Sequence, residues 1–251
     1  SQRSSDLAEV GPGLLMATAA RDLPDWGGDP PTYPLGKRIW LFVVLAGPLV
    51  LVSAALSFPF GGGWVGFALT LTIVSMAMGV YVGRLRKQIL KRFDAVPLDE
   101  SGARFRNLVE GLAEGLESPR PEIFLVTGDK PNAIVLRGHP PVIGVTRSLL
   151  DTYSRTEQEA VAAHCLVRIH TGHLFFSELA ARLGRSASRF APKVGSEDDL
   201  QTAAITRYPP GLARAIQHAG PVQGPTACLW FVAHSPSHYP VVSRIDALGD
   251  L

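Results

Sequence analysis

The chain has 251 residues, a formal net charge of +2 and 46% hydrophobic residues, a length that allows one or two domains with a substantial core. The basic residues are not gathered into an arm or an aromatic-interleaved patch, so a nucleic-acid partner is not expected. The two cysteines, Cys165 and Cys228, form no CxxC pair. They predict neither a disulfide framework nor a zinc ribbon, in keeping with a reducing compartment.

Residues 1–36 are rich in Gly, Pro, Asp and Ser and have no sustained hydrophobic period. This composition is typical of an irregular segment. The pattern is also compatible with one short helix, around Leu14 to Arg21. We therefore predict an irregular cytoplasmic segment as the first part of the chain.

Two uncharged apolar runs follow, from Ile39 to Phe58 and from Trp64 to Val82, with a Gly-rich turn between them. Each run has about 20 residues, which is the length that crosses a bilayer core. The first run begins too deep in the chain for a signal peptide, and no small-residue cleavage site follows it. The two runs predict a transmembrane helical hairpin, which makes residues 37–92 the second part of the chain.

The orientation of this hairpin follows from its flanks, because basic residues mark the cytoplasmic side. The flanking basic residues are Lys37, Arg38, Arg84, Arg86, Lys87, Lys91 and Arg92, while the turn carries no charge. We predict a multi-pass protein of the plasma (inner) membrane, with residues 93–251 as a cytoplasmic domain. The second run also carries small residues such as Gly66 and Gly79, which allow helices to approach closely in lipid.

Residues 93–251 alternate between helical and strand patterns. The predicted helices are Ser101 to Leu116, one that starts at Ser154, Leu174 to Leu183, Asp199 to Thr206 and Gly211 to His218. The predicted strands are Ile123 to Thr127, Ala133 to Leu136 and Pro141 to Thr146. A loop is predicted from Gly184 to Gly195, and a short apolar run from Leu229 to Ala233. The fold class is therefore an α+β membrane protein with a small β-sheet.

The helix that starts at Ser154 is the most informative element. Ser154 and Glu157 form a capping box, in which a serine oxygen and a carboxylate satisfy opposite backbone donors. The helix that follows carries His164, Cys165 and Arg168. A zinc peptidase helix of the HExxH type needs two histidines four residues apart, with a glutamate beside the first. Only the first histidine is present here.

From about Leu108 onward the sequence resembles the HtpX-like membrane zinc metallopeptidases. The segments that carry the resemblance are Lys130 to Ala133, Ile143 to Leu150, Thr156 to His164, Asp199 to Leu212 and Trp230 to Leu248. The resemblance implies a mainly helical, zincin-like catalytic domain behind a transmembrane hairpin. It also implies that the general base falls on Cys165, the second histidine on Arg168 and the glutamate ligand on Gly195.

These substitutions remove three groups that the family's zinc chemistry needs. Arg168 is a permanent cation and cannot coordinate a metal ion. We therefore predict a degenerate active site at His164, Cys165, Arg168 and Gly195, with no metal and no cofactor. The resulting interpretation is a catalytically inactive pseudo-peptidase that serves as a structural or regulatory subunit of a plasma-membrane complex. The alternative is an active membrane-bound metallopeptidase in protein quality control with a non-standard metal site.

Other functional interpretations of the residues around His164 have less support from the sequence. On a straight helix the side chains of His164 and His170 are about 240° apart, and His164 and His173 about 180°, so the three cannot share one ion. Cys165 is interpreted as a small buried thiol rather than a nucleophile. Glu197 and Asp198 remain alternative ligands if the preceding loop lets them reach the site. We also expect Arg168 to pair with an acid of the segment from Gly195 to Asp199, with Glu197 or Asp199 as the favoured partner.

The predicted partners are other membrane-protein subunits and the lipid bilayer. In the resembled family the strand near the Asn-Ala segment lines the cleft and pairs with extended substrate. An exposed edge of that kind can hold a partner by strand addition. Asn132, Ala133 and Ile134 are therefore the predicted partner-binding edge.

Overall fold

The computed structural model describes residues 47–48, 50–56, 63–171, 174–183, 193–195 and 197–251. The predicted irregular segment 1–36, with its candidate helix, lies outside these residues, as do His173 and most of the loop predicted from Gly184. The chain divides into two compact units with a boundary between Gln88 and Ile89.

The long apolar helix of the chain is α1 (Trp64–Arg92), which has 29 residues. Among the described residues it is the one helix that is long and apolar enough to cross a membrane. Large apolar side chains such as Trp64 and Met76 are exposed along it. The predicted second run is therefore helical, and the helix continues past Val82 through the basic residues. Residues 50–56 of the first run are also helical.

In the part of the chain that the structure describes, the sheet has four strands in the order β1-β2-β4-β3. β1 (Val96–Pro97) is antiparallel to β2 (Glu122–Val126), which is parallel to β4 (Val142–Thr146). β4 is in turn antiparallel to β3 (Ala133–Leu136). The sequence predicted the last three strands, and β3 has the predicted bounds. It missed β1, because two residues are too few to show an alternating pattern.

β3 and β4 are buried along their whole length. Successive side chains of a strand point to opposite faces of the sheet, and here each face has its own apolar cluster. Val135 and Ile143 belong to the larger cluster, while Ile134 and Leu136 pack in a second cluster with Trp230. A strand covered on both faces is expected to be a continuous apolar run, as β3 is.

The helices that the structure describes after α1 lie in the unit that continues from Ile89 to Leu251, and they supply most of the larger cluster. They are α2 (Ala103–Gly115), α3 (Arg147–Thr152), α4 (Arg155–His170), α5 (Leu174–Leu183), α6 (Glu197–Thr206), α7 (Pro209–His218) and α8 (Val241–Gly249). α4 packs against α2, α6 and α7, and α8 packs against α6 and α7. The predicted combination of helices with a small sheet is confirmed, and the sheet is mixed.

Several predicted boundaries differ from the structure by one or two residues, including those of α2, β2, β4 and α6. α7 begins at Pro209 rather than at Gly211, because a proline in the first turn lacks only an N–H that would have no helical acceptor there. The apolar run before the last helix is a 3-10 turn at Ala227–Leu229, followed by an extended segment in which Trp230 bridges to Ile134. This segment, residues 228–232, forms one wall of the site described next.

Candidate functional site

The site is built on α4, whose start is the predicted capping box. The backbone N–H of Ser154 donates to Glu157 Oε2 at 2.8 Å, and the N–H of Glu157 donates to Ser154 Oγ at 3.4 Å. The cap fixes where α4 begins and therefore which side chains face α6. Every residue from Glu157 to Arg168 except Glu159 is buried, including His164, Cys165 and Arg168. α4 therefore carries its candidate residues into the core.

His164 is fully buried against α6 and the segment 228–232. Its Nδ1 lies 3.4 Å from Asp199 Oδ1 and 3.5 Å from the hydroxyl of Thr202, and its ring meets Phe231 edge-on at 4.8 Å. Burial, together with the charges of Arg244 and Arg168, holds the pKa of His164 well below its usual value, so the ring is neutral. The Asp199 carboxylate favours a proton on Nδ1. Nε2 is then a bare acceptor, with no hydrogen-bond partner among the described residues.

Arg168 occupies the position of the family's second histidine and is 4% exposed. Its Nη1 donates to the carbonyl oxygens of Leu229 at 3.0 Å and Trp230 at 3.4 Å, and its Nη2 to that of Cys228 at 3.2 Å. Within the described part of the chain its guanidinium has no salt bridge to a carboxylate. The predicted pairing with Glu197 or Asp199 is wrong, because backbone carbonyls take the place of an acid.

Asp199 pairs instead with Arg244, a residue of α8 whose role the sequence did not reveal. Arg244 Nε and Nη2 donate to the two Asp199 oxygens, both at 2.7 Å, and Nη1 donates to the carbonyl of Phe231 at 2.9 Å. Arg244 is 1% exposed and Asp199 2% exposed. This two-pronged pair joins α8 to α6 and holds the carboxylate that faces His164.

Gly195 lies at the position of the glutamate ligand and has no side chain to offer. Its φ is +114°, a conformation that favours glycine. A Cβ at this position would lie 2.9 Å from Cδ of Arg244, which is closer than a side chain can approach without movement. Arg244 therefore fills the space in which a ligand at position 195 would begin.

A small cavity of about 10 Å³ lies beside Arg168 and is large enough for about one water molecule. Asp198 and the polar side chains of Thr171, Ser177 and Lys193 contribute to its lining. Burial raises the pKa of Asp198 to about 6, and the nearby charge of Arg168 opposes that rise. Of the two acids left as alternatives by the sequence, Asp198 reaches this cavity, whereas Glu197 is exposed.

Cys165 and His238 are both buried near this site, and each has a strongly shifted pKa. Burial raises the pKa of the Cys165 thiol to about 12, so it stays protonated and has little nucleophilic character at neutral pH. Burial lowers the pKa of His238 to about 3, although its Nε2 donates to the carbonyl of Trp230 at 2.9 Å. No pattern in the sequence indicated this bond.

Asn132 lies immediately before β3 and is bonded through its backbone and its side chain. Its Nδ2 donates to the carbonyls of Gly220 at 2.9 Å and Val232 at 2.7 Å. Its Oδ1 accepts from the N–H of Ala133 at 2.9 Å and of Val232 at 3.2 Å, and its backbone N–H donates to Thr146 Oγ1 at 3.0 Å. Asn132 is thus a structural hub.

The predicted partner-binding edge next to this hub is closed. Asn132, Ala133 and Ile134 are all 0% exposed. The N–H of Phe231 donates to the carbonyl of Ala133 at 2.8 Å, and Trp230 forms a bridge with Ile134. Strand addition at these three residues is therefore not supported, because the chain itself already occupies the edge.

The zinc site that the resemblance implies can be tested against these residues. A zinc peptidase needs three protein ligands and a water. His164 Nε2 can serve as one ligand, but Arg168 is a cation, Gly195 has no side chain and both oxygens of Asp199 are bonded to Arg244. In the described ranges no group of three or more His, Cys, Asp or Glu side chains is placed to hold a metal ion. The residues at these positions do not fit the ion.

Comparisons with known proteins connect the chain to one group. No protein-family model matches it. It is 29% identical over 134 residues to the "Protease HtpX homolog" of Methylibium petroleiphilum, covering 52% of this chain and 47% of that protein. It is also 29% identical over 156 residues to the Campylobacter concisus protein of that name, covering 59% and 54%. The chain spans about half the length of the curated relatives it matches.

A structural comparison gives a weaker likeness. The crystal structure of S. mikatae Ste24p is 15% identical in sequence, covers 84% of this chain and 64% of that chain, and has a TM-score of 0.46. A likeness at this level does not establish a shared fold.

These findings confirm the resemblance to the HtpX-like family and correct the predicted function. The prediction of a catalytically inactive subunit is wrong, because the matching curated relatives are named proteases. The alternative prediction of an active membrane-bound peptidase is the one that these relatives favour. The departures at Cys165, Arg168 and Gly195 stand as features of this chain.

Proposed function

The chain is related in sequence to the HtpX-like family of membrane metallopeptidases, and on that premise we propose that it is a membrane-bound peptidase. Its substrates in this proposal are unfolded polypeptides, as expected in protein quality control. The observation that carries the proposal is the 29% identity to proteins named Protease HtpX homolog over more than half of this chain. Because the match covers about half of those proteins, the activity is carried over as a proposal.

In this proposal the membrane part is a two-span hairpin and the zincin-like domain is cytoplasmic. A hydrogen bond from Thr70 Oγ1 to the carbonyl of Ser53, at 3.1 Å, supports the pairing of the two runs. The basic residues at the end of α1 support the orientation. A cysteine introduced at Gly63 should then react with an impermeant thiol reagent outside intact cells, and one at Asp250 should not. Labelling at Asp250 but not at Gly63 would show that the topology is the reverse of the proposed one.

The catalytic centre in this proposal is the small cavity beside Arg168. Asp198 is the general base, because a carboxylate with a pKa of about 6 is ionised at neutral pH and still accepts a proton readily. The guanidinium of Arg168 has five N–H donors, and three of them serve the carbonyls of residues 228–230. Its charge, with that of Lys193, favours the negative charge that develops on a carbonyl oxygen under attack.

A water molecule and Asp198 account for every proton that moves in this hydrolytic step. A water molecule in the cavity attacks the peptide carbonyl carbon and gives a proton to Asp198, while the carbonyl oxygen becomes an oxyanion near Arg168. Asp198 then returns the proton to the amide nitrogen as the C–N bond breaks. The products are an amine and a carboxylic acid, and the base is restored.

The test is hydrolysis of an unfolded fluorogenic protein substrate by the full chain in mild detergent. We expect Asp198→Asn to lower kcat by about 10²- to 10⁴-fold, the usual contribution of a general base. The matched control is Glu197→Gln, which changes the preceding, exposed carboxylate of the same helical turn and should keep kcat within about twofold.

Two outcomes would overturn the proposal in different ways. A folded wild-type chain without activity would refute the peptidase function. Activity that a chelator abolishes and added zinc restores would keep the peptidase function but refute Asp198 as the base. Thermal melting of each variant verifies that it is folded.

A further inference from the structure

We infer that two buried arginines, Arg168 and Arg244, take the structural place of a zinc ion in this domain, so that residues 93–251 fold without metal. The inference starts from what a metal ion does mechanically. A zinc ion bound by side chains of two helices ties those helices together, and its binding free energy adds to folding. The family's ligand positions in this chain lie on α4 and just before α6.

Arg168 makes the first replacement link. Its guanidinium bonds to three successive backbone carbonyls, those of Cys228, Leu229 and Trp230, and so joins α4 to the segment 228–232. These bonds give donors to the carbonyls of Cys228 and Leu229 at the end of the 3-10 turn, and the carbonyl of Trp230 accepts from His238 as well. The link depends on the planar fork of arginine, because a single ammonium group cannot reach three acceptors in the same arrangement.

Arg244 makes the second link. It joins α8 to α6 through both oxygens of Asp199 and reaches the same segment through the carbonyl of Phe231. The two arginines therefore bind successive parts of one segment, residues 228–231, and connect it to α4, α6 and α8. These elements include α4, which carries two of the family's ligand positions, and α6, which follows the third.

The arginine arrangement and a metal site exclude each other in two ways. The first is electrostatic, since both guanidinium charges act on His164 and disfavour a further cation beside it. The second is steric, because a side chain at position 195 would enter the space of the Arg244 stem, 2.9 Å from Cδ. A third ligand can be regained there only by displacing the residue that holds Asp199.

His164 is what remains of the ligand set. Its Nδ1 still faces a carboxylate, and its Nε2 is left without a partner among the described residues. That is the arrangement of a zinc-binding histidine, in which one ring nitrogen bonds a carboxylate and the other is free for the metal. One such nitrogen is too few for an ion that needs three protein ligands.

The test measures metal content and thermal stability of the full chain in detergent, and neither depends on hydrolysis. For the wild-type chain we expect far less than one zinc per chain by elemental analysis. We also expect a Tm that moves by less than about 1 °C with either EDTA or zinc. About one zinc per chain, or a Tm that falls with EDTA, would overturn the inference without any variant.

The variants test whether the arginines are the links. Arg168→Met leaves buried carbonyls without their donor, and Arg244→Met leaves the buried Asp199 carboxylate without its cation, so each variant should lower Tm by about 10 °C. Arg168→His should lower it similarly, and zinc should not restore it, because position 195 still provides no ligand. The matched control is Arg214→Met on α7, whose guanidinium is exposed and should change Tm by no more than about 1 °C. An unchanged Tm in both buried variants would refute the structural role.

Discussion

Asn132 and Arg168 hold the same extended segment of the chain by different chemistry. Asn132 bonds to Val232 with a neutral amide, and both of its side-chain polar atoms have partners. Arg168 bonds to residues 228–230 with a cation. The first leaves no charge in the core, whereas the second brings a charge that acts on His164, Asp198 and His238. Both bonds position the segment, but only the arginine also sets the electrostatics of the site.

The largest expected effect comes from removing the neutral hub. Asn132→Ala leaves two carbonyls and two N–H groups without their side-chain partner in a buried site. At about 1–3 kcal/mol for each unsatisfied group, the free energy of unfolding should fall by more than about 4 kcal/mol. Denaturant unfolding measures it. Asn107→Ala on the exposed side of α2 is the control and should change stability by no more than about 0.5 kcal/mol. A loss below about 1 kcal/mol in Asn132→Ala would mean that the hub is dispensable.

The next effect concerns the former ligand position. Gly195 and Gly224 have nearly the same φ, +114° and +112°, but a Cβ at Gly224 meets nothing within 4 Å. Gly224→Ala should therefore report the backbone strain alone, about 1–2 kcal/mol, and Gly195→Ala the strain plus crowding against Arg244, about 2–4 kcal/mol. Equal losses in the two variants would show that Arg244 does not fill the position.

The last effect is the dependence of stability on pH, which is the smallest of the three when it is expressed per pH unit. Burial lowers the folded-state pKa of His238 to about 3, so the folded chain binds fewer protons than the unfolded chain below pH ~6.5. The free energy of unfolding should therefore fall as the pH falls from about 6.5 toward 3, by about 1.4 kcal/mol per pH unit for this residue. Asp198, whose folded pKa is raised to about 6, acts in the opposite sense between about pH 4 and 6.

His238→Gln tests this contribution, because glutamine keeps a donor for the Trp230 carbonyl but does not titrate. The unfolding free energy of this variant should fall less steeply with acidification than that of the wild-type chain. We expect the two slopes to differ by about 1.4 kcal/mol per pH unit. His234→Gln changes an exposed histidine nearby and should leave the slope as it is. Parallel curves for the wild-type and His238→Gln chains would refute the buried, neutral state of His238.

Local patterns predicted much of this fold. The capping box at Ser154 and the apolar run of β3 each depend on neighbours within a few residues, and both were located correctly. The absence of side-chain ligands at Arg168 and Gly195 could also be read directly from the residue types. These features need no knowledge of which distant segments meet.

The contacts that organise the site could not be predicted in the same way. Arg168 bonds to backbone carbonyls, which every residue has and which leave no trace in the sequence. Asp199 and Arg244 are 45 positions apart, and the nearer arginine on α4 was an equally reasonable partner. The closed edge of β3 depends on Trp230 and Phe231, whose pairing arises only when the domain is assembled. Sequence patterns therefore located the elements but not the bonds between them.

The Asn132 hub also has a consequence for synthesis. Its two side-chain acceptors lie 88 and 100 residues later in the chain. While the ribosome is still making those residues, the sheet edge at Ala133 and the amide of Asn132 have neither of their eventual partners. The domain therefore closes late, well after the ribosome has finished the apolar runs on either side of residue 60. During that interval the unpaired strand edge is open to aggregation or to chaperone binding.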